Sequence, residues 1–143
     1  MKNNLAVLAV LIMAAVAVVP ASAQSTTIKA NIPFEFSAGT SVMPAGDYTF
    51  KGSWSSTRVL VRSDDSSAAE YLTAQAGQTA RGPSEGNSKL VFHRVGDQYF
   101  LRQIVNGSLS MVRDIPLSTT ERELAGGVDS AKAYETVVIL ARL

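Results

Sequence analysis

KLVFHRVGDQYFLRQIVNGSLSMVRDIP, residues 89–116, decides the fold. Two dipeptides, Gly96-Asp97 and Asn106-Gly107, match the favoured two-residue hairpin turns, and each is flanked by β-rich runs. The stretch therefore reads as a three-stranded antiparallel meander. Pairing outward from the first turn sets Val95 against Gln98, Arg94 against Tyr99, His93 against Phe100 and Phe92 against Leu101. Pairing outward from the second sets Val105 against Ser108, Ile104 against Leu109, Arg102 against Met111 and Leu101 against Val112. On this count Asn106 and Gly107 both occupy positive φ. One face then carries Leu90, Phe92, Tyr99, Leu101 and Val112. The other carries Val91, Val95, Phe100, Ile104, Leu109 and Met111, with His93, Arg102 and Arg113 among them. Both faces are rich in apolar side chains, so one meets the core and the other needs a cover.

Working C-terminally, Ser118 followed by Glu121 is a capping box, and Gly126-Gly127 ends a short helix over about 118–125. Eight residues do not hold a helix alone in water, so Leu117 and Leu124 are expected to pack on the second face of the meander. Tyr134 to Ala141 reads as a strand apolar on both sides, the pattern of a central strand buried on both faces.

Working N-terminally, Ile28, Ala30, Ile32, Phe34 and Phe36 alternate with Lys29, Asn31, Pro33 and Glu35, which is period two with one buried face. Pro33 lacks an N–H for the ladder and places this strand at an edge. A turn at 43–47 leads to a strand with Tyr48 and Phe50 inward, and Thr57–Ser63 forms another. Residues 68–76 carry both a capping-box pattern at Ser67 and Glu70 and strict alternation of Leu72, Ala74 and Ala76; the strand reading is preferred and the helix stays open. Residues 77–88 read as a Gly- and Ser-rich loop. The fold class is all-β: an antiparallel β-sandwich or small partly open barrel of about seven or eight strands, with one short helix.

Residues 1–23 stand apart. Lys2 precedes fifteen uninterrupted apolar residues, Leu5 to Val19, and Ala21-Ser22-Ala23 presents small residues where a signal peptidase reads. As a helix that run reaches about 22 Å, short of a hydrocarbon core of about 30 Å. The reading is a cleaved signal peptide with cleavage after Ala23, no membrane span once it is removed, and a single domain over 24–143 in the periplasm or outside the cell. The full chain carries 13 Lys and Arg against 12 Asp and Glu. Removing Lys2 leaves 12 of each, a balance that argues against a dedicated nucleic-acid binder. There is no cysteine, so stability comes from a packed core rather than disulfides.

IPFEF, MPAGDYTF, KLVFHRVGDQYFLRQ and IPLSTTEREL, in this order along the chain, resemble a group of small exported bacterial β-rich proteins of unknown function. The resemblance implies a β-rich exported domain ending in a short helix and a strand. It assigns no catalytic or binding residue.

The chemistry-bearing residues are few. The single histidine, His93, lies mid-strand, and no Gly-x-Ser-x-Gly elbow is present. No catalytic residue, cofactor or metal site is expected, because one His and no Cys leave only scattered carboxylates. Glu121 and Glu123 fit the dipole at a helix N-terminus. Asn106-Gly107-Ser108 matches a glycosylation sequon but is assigned to the hairpin. Trp54 reads as a corner packing residue before it reads as a ligand contact. The expected function is a noncatalytic exported domain binding a protein or envelope component, of unstated oligomeric state. The alternatives are a small apolar-ligand carrier with a barrel cavity and, behind it, a small hydrolase without a recognisable motif. The candidate partner face is the part of the meander that the helix leaves bare: Phe100, Arg102, Ile104, Met111 and Arg113.

Overall fold

A computed structural model describes residues 25–53, 55–78, 86–126 and 134–143. Residues 1–23, expected to be a signal peptide, Trp54 and much of the loop expected at 77–88 lie outside the described residues. The strands are β1 (Ser25–Ile32), β2 (Phe36–Ala38), β3 (Ser41–Met43), β4 (Gly46–Ser53), β5 (Arg58–Ser63), β6 (Ala69–Thr73), β7 (Gln75–Gly77), β8 (Ser88–Val95), β9 (Gln98–Asn106), β10 (Met111–Asp114) and β11 (Glu135–Ala141). Seven of these run to five residues or more, and the other four are pieces of three or four residues. Among the described residues one helix, α1 (Thr119–Leu124), lies between β10 and β11.

The strands form two sheets. The four-stranded sheet has the order β1-β4-β5-β6, and the seven-stranded sheet has the path β11-β8-β9-β10-β7 with the β2–β3 hairpin attached to β9. The ladders do not close into a barrel, but the sheets are joined at two corners. At one, Lys29 and Arg142 exchange backbone hydrogen bonds of 2.7 and 2.8 Å, tying β1 to the end of β11. At the other, the chain passes from β6 into β7 across Ala74, leaving one sheet for the other without a loop. Strands that switch sheets are the usual way a sandwich makes a corner. The residues at 68–76 are thus extended, and the preferred strand reading holds.

Between the sheets Ile28, Ile32, Phe36, Tyr48, Phe50, Val61, Leu72, Leu90, Phe92 and Ile104 form one core, each 2% exposed or less. Phe34 is only partly buried; it stacks on Tyr99 at 3.9 Å and meets Phe92 edge-on at 5.3 Å. The buried Tyr48 hydroxyl donates to the Pro44 carbonyl at 2.6 Å, and burial raises its pKa. β1 stops at Ile32, one residue before Pro33, where the missing N–H ends the ladder.

The first hairpin forms as read. Val95 faces Gln98, His93 faces Phe100 and Phe92 faces Leu101, with Gly96 at φ +60°. The second does not. Met111 pairs with Asn106, Val112 with Val105 and Arg113 with Ile104, so the loop is the four residues Gly107–Ser110. Positive φ falls on Ser110, at +50°, and not on Asn106 or Gly107. Gly107 is required for space instead: a Cβ there would overlap the backbone of Gly86 and Asn87 at the start of β8. Asn106 is fully buried, its side-chain oxygen accepting from the Leu109 N–H at 3.0 Å, so the sequon is no surface acceptor.

A second irregularity lies in β8–β9. Phe92 pairs with Leu101 but Val91 pairs with Gln103, leaving Arg102 as the extra residue of a bulge. One extra residue in a period-two strand exchanges the faces of everything beyond it. Ile104 therefore points into the core, and Arg113, opposite it, does too; Val105 and Val112 share the outer side. The strand at the C-terminal end is also corrected. β11 is not central but lies at the corner, with Val137 and Ile139 packed inward while Val138 and Leu140 are 50% and 71% exposed on the outer face.

Candidate functional site

The five residues expected to form a partner face are dispersed. Phe100 and Ile104 are each 2% exposed, on opposite faces of the sheet, and Arg113 is buried at the inner side. Met111 is exposed beside the Gly107–Ser110 loop, and Arg102 is half-buried under α1. The bulge at Arg102 and the longer second loop separate them. No shared surface results.

What the outer face of the seven-stranded sheet holds instead is a buried ion cluster. α1 lies over β8 and β9, but Leu124, expected to dock it, is 46% exposed. The residue that goes under is Glu121, 1% exposed. Its carboxylate lies 3.2 Å from His93 Nδ1 and 3.8 Å from Arg102 Nε. Its backbone N–H donates to Ser118 Oγ at 3.1 Å, half of the expected capping box; the side chain that would complete the box points into the sheet. Arg102 also donates to the Ile115 carbonyl, and Tyr134 packs over the His93 ring at 4.6 Å. The single histidine of the chain is thus committed to holding α1 down. Sequence reading placed His93 and Arg102 on the face that meets the helix; it missed the carboxylate because a helix-dipole role already accounted for Glu121.

Among the described residues the core between the sheets is closely packed. Between the sheets, Ile28, Phe50, Val59, Ile104 and Arg113 line a cavity of about 20 Å³. A cavity of that size holds about one water, against the several hundred Å³ of a small-molecule pocket.

The outer face of the four-stranded sheet is different in kind. Alternation along β1, β4 and β5 buries Ile28, Phe50, Val59 and Val61 and turns Lys29, Lys51, Arg58 and Arg62 outward, all exposed. Arg142, opposite Lys29 at the corner bridge, extends the same face. Ten Lys and Arg lie among the described residues, and these five share one surface. In register, Lys29 and Arg62 flank Thr49 on either side, with Lys51 two residues along the middle strand. Directly opposed side chains of an antiparallel pair sit about 5 Å apart at Cβ and diagonal ones about 7–8 Å. Lys29, Lys51 and Arg62 therefore ring one point.

That point is the floor of a groove of about 360 Å³ lined by Thr27, Lys29, Thr49, Lys51, Leu60, Arg62 and Asp64. A second groove, of about 390 Å³, shares Lys29 and Asp64 with it and runs on past Arg142 and Leu140. Two carboxylates stand at one end: Asp47 accepts from Asn31 Nδ2 at 3.0 Å, and Asp64 accepts from Thr49 Oγ1 at 2.6 Å. Among the described residues neither forms an ion pair with the face's cations. Beyond them, in the turn between β5 and β6, Ser63 and the Ser67 hydroxyl and N–H pull the Asp65 carboxyl down to about 2. At the opposite edge Tyr71, paired with Leu60, is 67% exposed. Period-two alternation displays Lys29, Lys51, Arg58 and Arg62 in the sequence; Asp64, Asp65 and Arg142 lie outside the strands and join the face only in the fold. In sequence alone a polar outward set is indistinguishable from ordinary solvation, so the alternation does not mark this face as a site.

No group of three or more metal-ligating side chains occurs among the described residues, and no helix there is long and apolar enough to cross a membrane. The chain matches no protein-family model, no curated protein and no solved structure.

Proposed function

We propose that this chain is an exported, noncatalytic binding domain that recognises an envelope component through its outer surface. The observation that carries the reading is the packed core between the sheets: among the described residues Ile28, Phe50, Val61, Leu90, Phe92 and Ile104 are each 2% exposed or less, and the pocket beside them measures about 20 Å³, far below a cargo-sized cavity. The carrier alternative requires such a space. The position of the single histidine supports the reading as well, since His93 is engaged with Glu121 and packed by Tyr134. Export rests on the residues of the N-terminal segment, Leu5 to Val19 followed by Ala21-Ser22-Ala23.

The discriminating experiment is a titration of the purified protein with an environment-sensitive apolar dye and with a medium-chain fatty acid. The reading expects no saturable uptake of either. Stoichiometric uptake, with protection of core amides from hydrogen exchange, would make the protein a carrier.

A further inference from the structure

We infer that the outer face of the four-stranded sheet is a binding site for an anionic polysaccharide, with Lys29, Lys51 and Arg62 as its charge-reading centre and Tyr71 as a stacking platform. The inference rests on the binding-domain reading above and names the class of partner. It starts from an imbalance. In a chain whose residues 24–143 carry equal numbers of cations and anions, five cations gather on one exposed sheet face. Like charges at diagonal positions of a sheet repel one another, so this packing is unfavourable in the free protein and is relieved by a bound anion.

The shape points to a chain rather than a single ion. The two grooves share Lys29 and Asp64 and together cross the sheet from Arg62 to the β1–β11 corner at Arg142. A polymer bearing one charge per sugar can meet several cations at once along such a track.

The remaining side chains select among polyanions. Thr27 brings a hydroxyl into the groove, and the Asp64 carboxylate, which takes the Thr49 hydroxyl on Oδ1, has its second oxygen left to accept. A carboxylate repels the dense charge of a phosphodiester backbone but accepts hydrogen bonds from sugar hydroxyls. Tyr71, exposed beside Leu60 and diagonal to Arg58 and Arg62, offers a ring on which a sugar can stack. An anionic membrane would use the cations and the apolar tips. It has no use for a recessed hydroxyl and an acceptor within the groove.

The test is calorimetric titration of the purified protein with polygalacturonate oligomers at low and at physiological salt. Saturable binding that weakens with salt is expected, since exposed charges are screened over about 8–10 Å. The double variant Lys51→Glu/Arg62→Glu should weaken it by more than about 10-fold, because two attractions become repulsions. Tyr71→Ala should weaken it about 5-fold, within the range for loss of an aromatic stacking contact. Arg122→Glu, on the exposed side of α1, should leave it unchanged, with every variant still folded and unfolding cooperatively. The inference is overturned by absence of saturable binding, by equal weakening from Arg122→Glu, by a neutral Tyr71→Ala, or by tighter binding to phosphatidylglycerol vesicles or an oligothymidylate of equal charge. If the apolar dye is excluded and the glycan also fails to bind, the binding-domain reading stands and only this inference falls.

Discussion

Glu121 and Lys51 are both charged side chains at the outer face of a sheet, and they live in opposite conditions. Glu121 is 1% exposed, between His93 and Arg102, under a helix that it holds in place. Lys51 is exposed in an open groove, with no ion-pair partner among the described residues. On the outer face of the seven-stranded sheet, His93 and Arg102 are taken up by Glu121 beneath α1, and Phe100, paired with His93, is buried beside them. The four-stranded sheet keeps its cations out of ion pairs among the described residues: Arg62 donates to Ser66 Oγ at 3.1 Å, and Lys29 and Lys51 face the open groove. A charge that no fold requirement explains is the better candidate for function.

The largest effect that would break this contrast belongs to Glu121→Ala. It strips a buried cation of its counterion and unpins α1, and should cost about 3 kcal/mol of stability by denaturant unfolding, toward the lower end for a broken buried pair because His93 and Arg102 keep some access to water. A loss under about 1 kcal/mol would mean the cluster is ornamental. Next comes Gly107→Ala. With no positive φ at that position, its whole cost is overlap with the backbone of Gly86 and Asn87, about 2 kcal/mol. A neutral result would mean that the start of β8 does not approach the second loop this closely. Smallest is Lys51→Ser, which should change the unfolding midpoint by no more than about 0.5 kcal/mol in equivalent stability. A substantial loss there would show that the open face is structural after all.

The two hairpins show how far the sequence alone carries. Gly96-Asp97 specifies its turn locally: Gly accepts φ +60°, the flanking residues pair outward, and nothing distant interferes. Asn106-Gly107 has an equally good local signal, but Gly107 is needed for close approach of the chain at Asn87, and Asn106 turns its side chain inward to accept from Leu109. Those are tertiary demands, invisible in a dipeptide. The bulge at Arg102 is invisible for a related reason. Leu101 and Ile104 both belong in the core, and three residues of spacing can join them in a strand only if one is extra. The all-β class, the short helix and its landing face were legible because each rests on periodicity or capping; sandwich against partly open barrel stayed open, because it depends on which strands meet at the corners. The cationic face was equally legible in the alternation of β1, β4 and β5, yet has meaning only once neighbouring strands are known to bring Lys29, Lys51 and Arg62 together.

The central claim, that the open four-stranded sheet binds while the covered seven-stranded sheet supports, is tested most directly by amide-resolved NMR during titration with polygalacturonate. Saturating shifts should cluster at Lys29, Thr49, Lys51, Leu60, Arg62 and Tyr71, with Met111, Glu121 and Leu124 unmoved. Shifts concentrated instead at Met111 and Leu124, or spread evenly over both sheets, would contradict it.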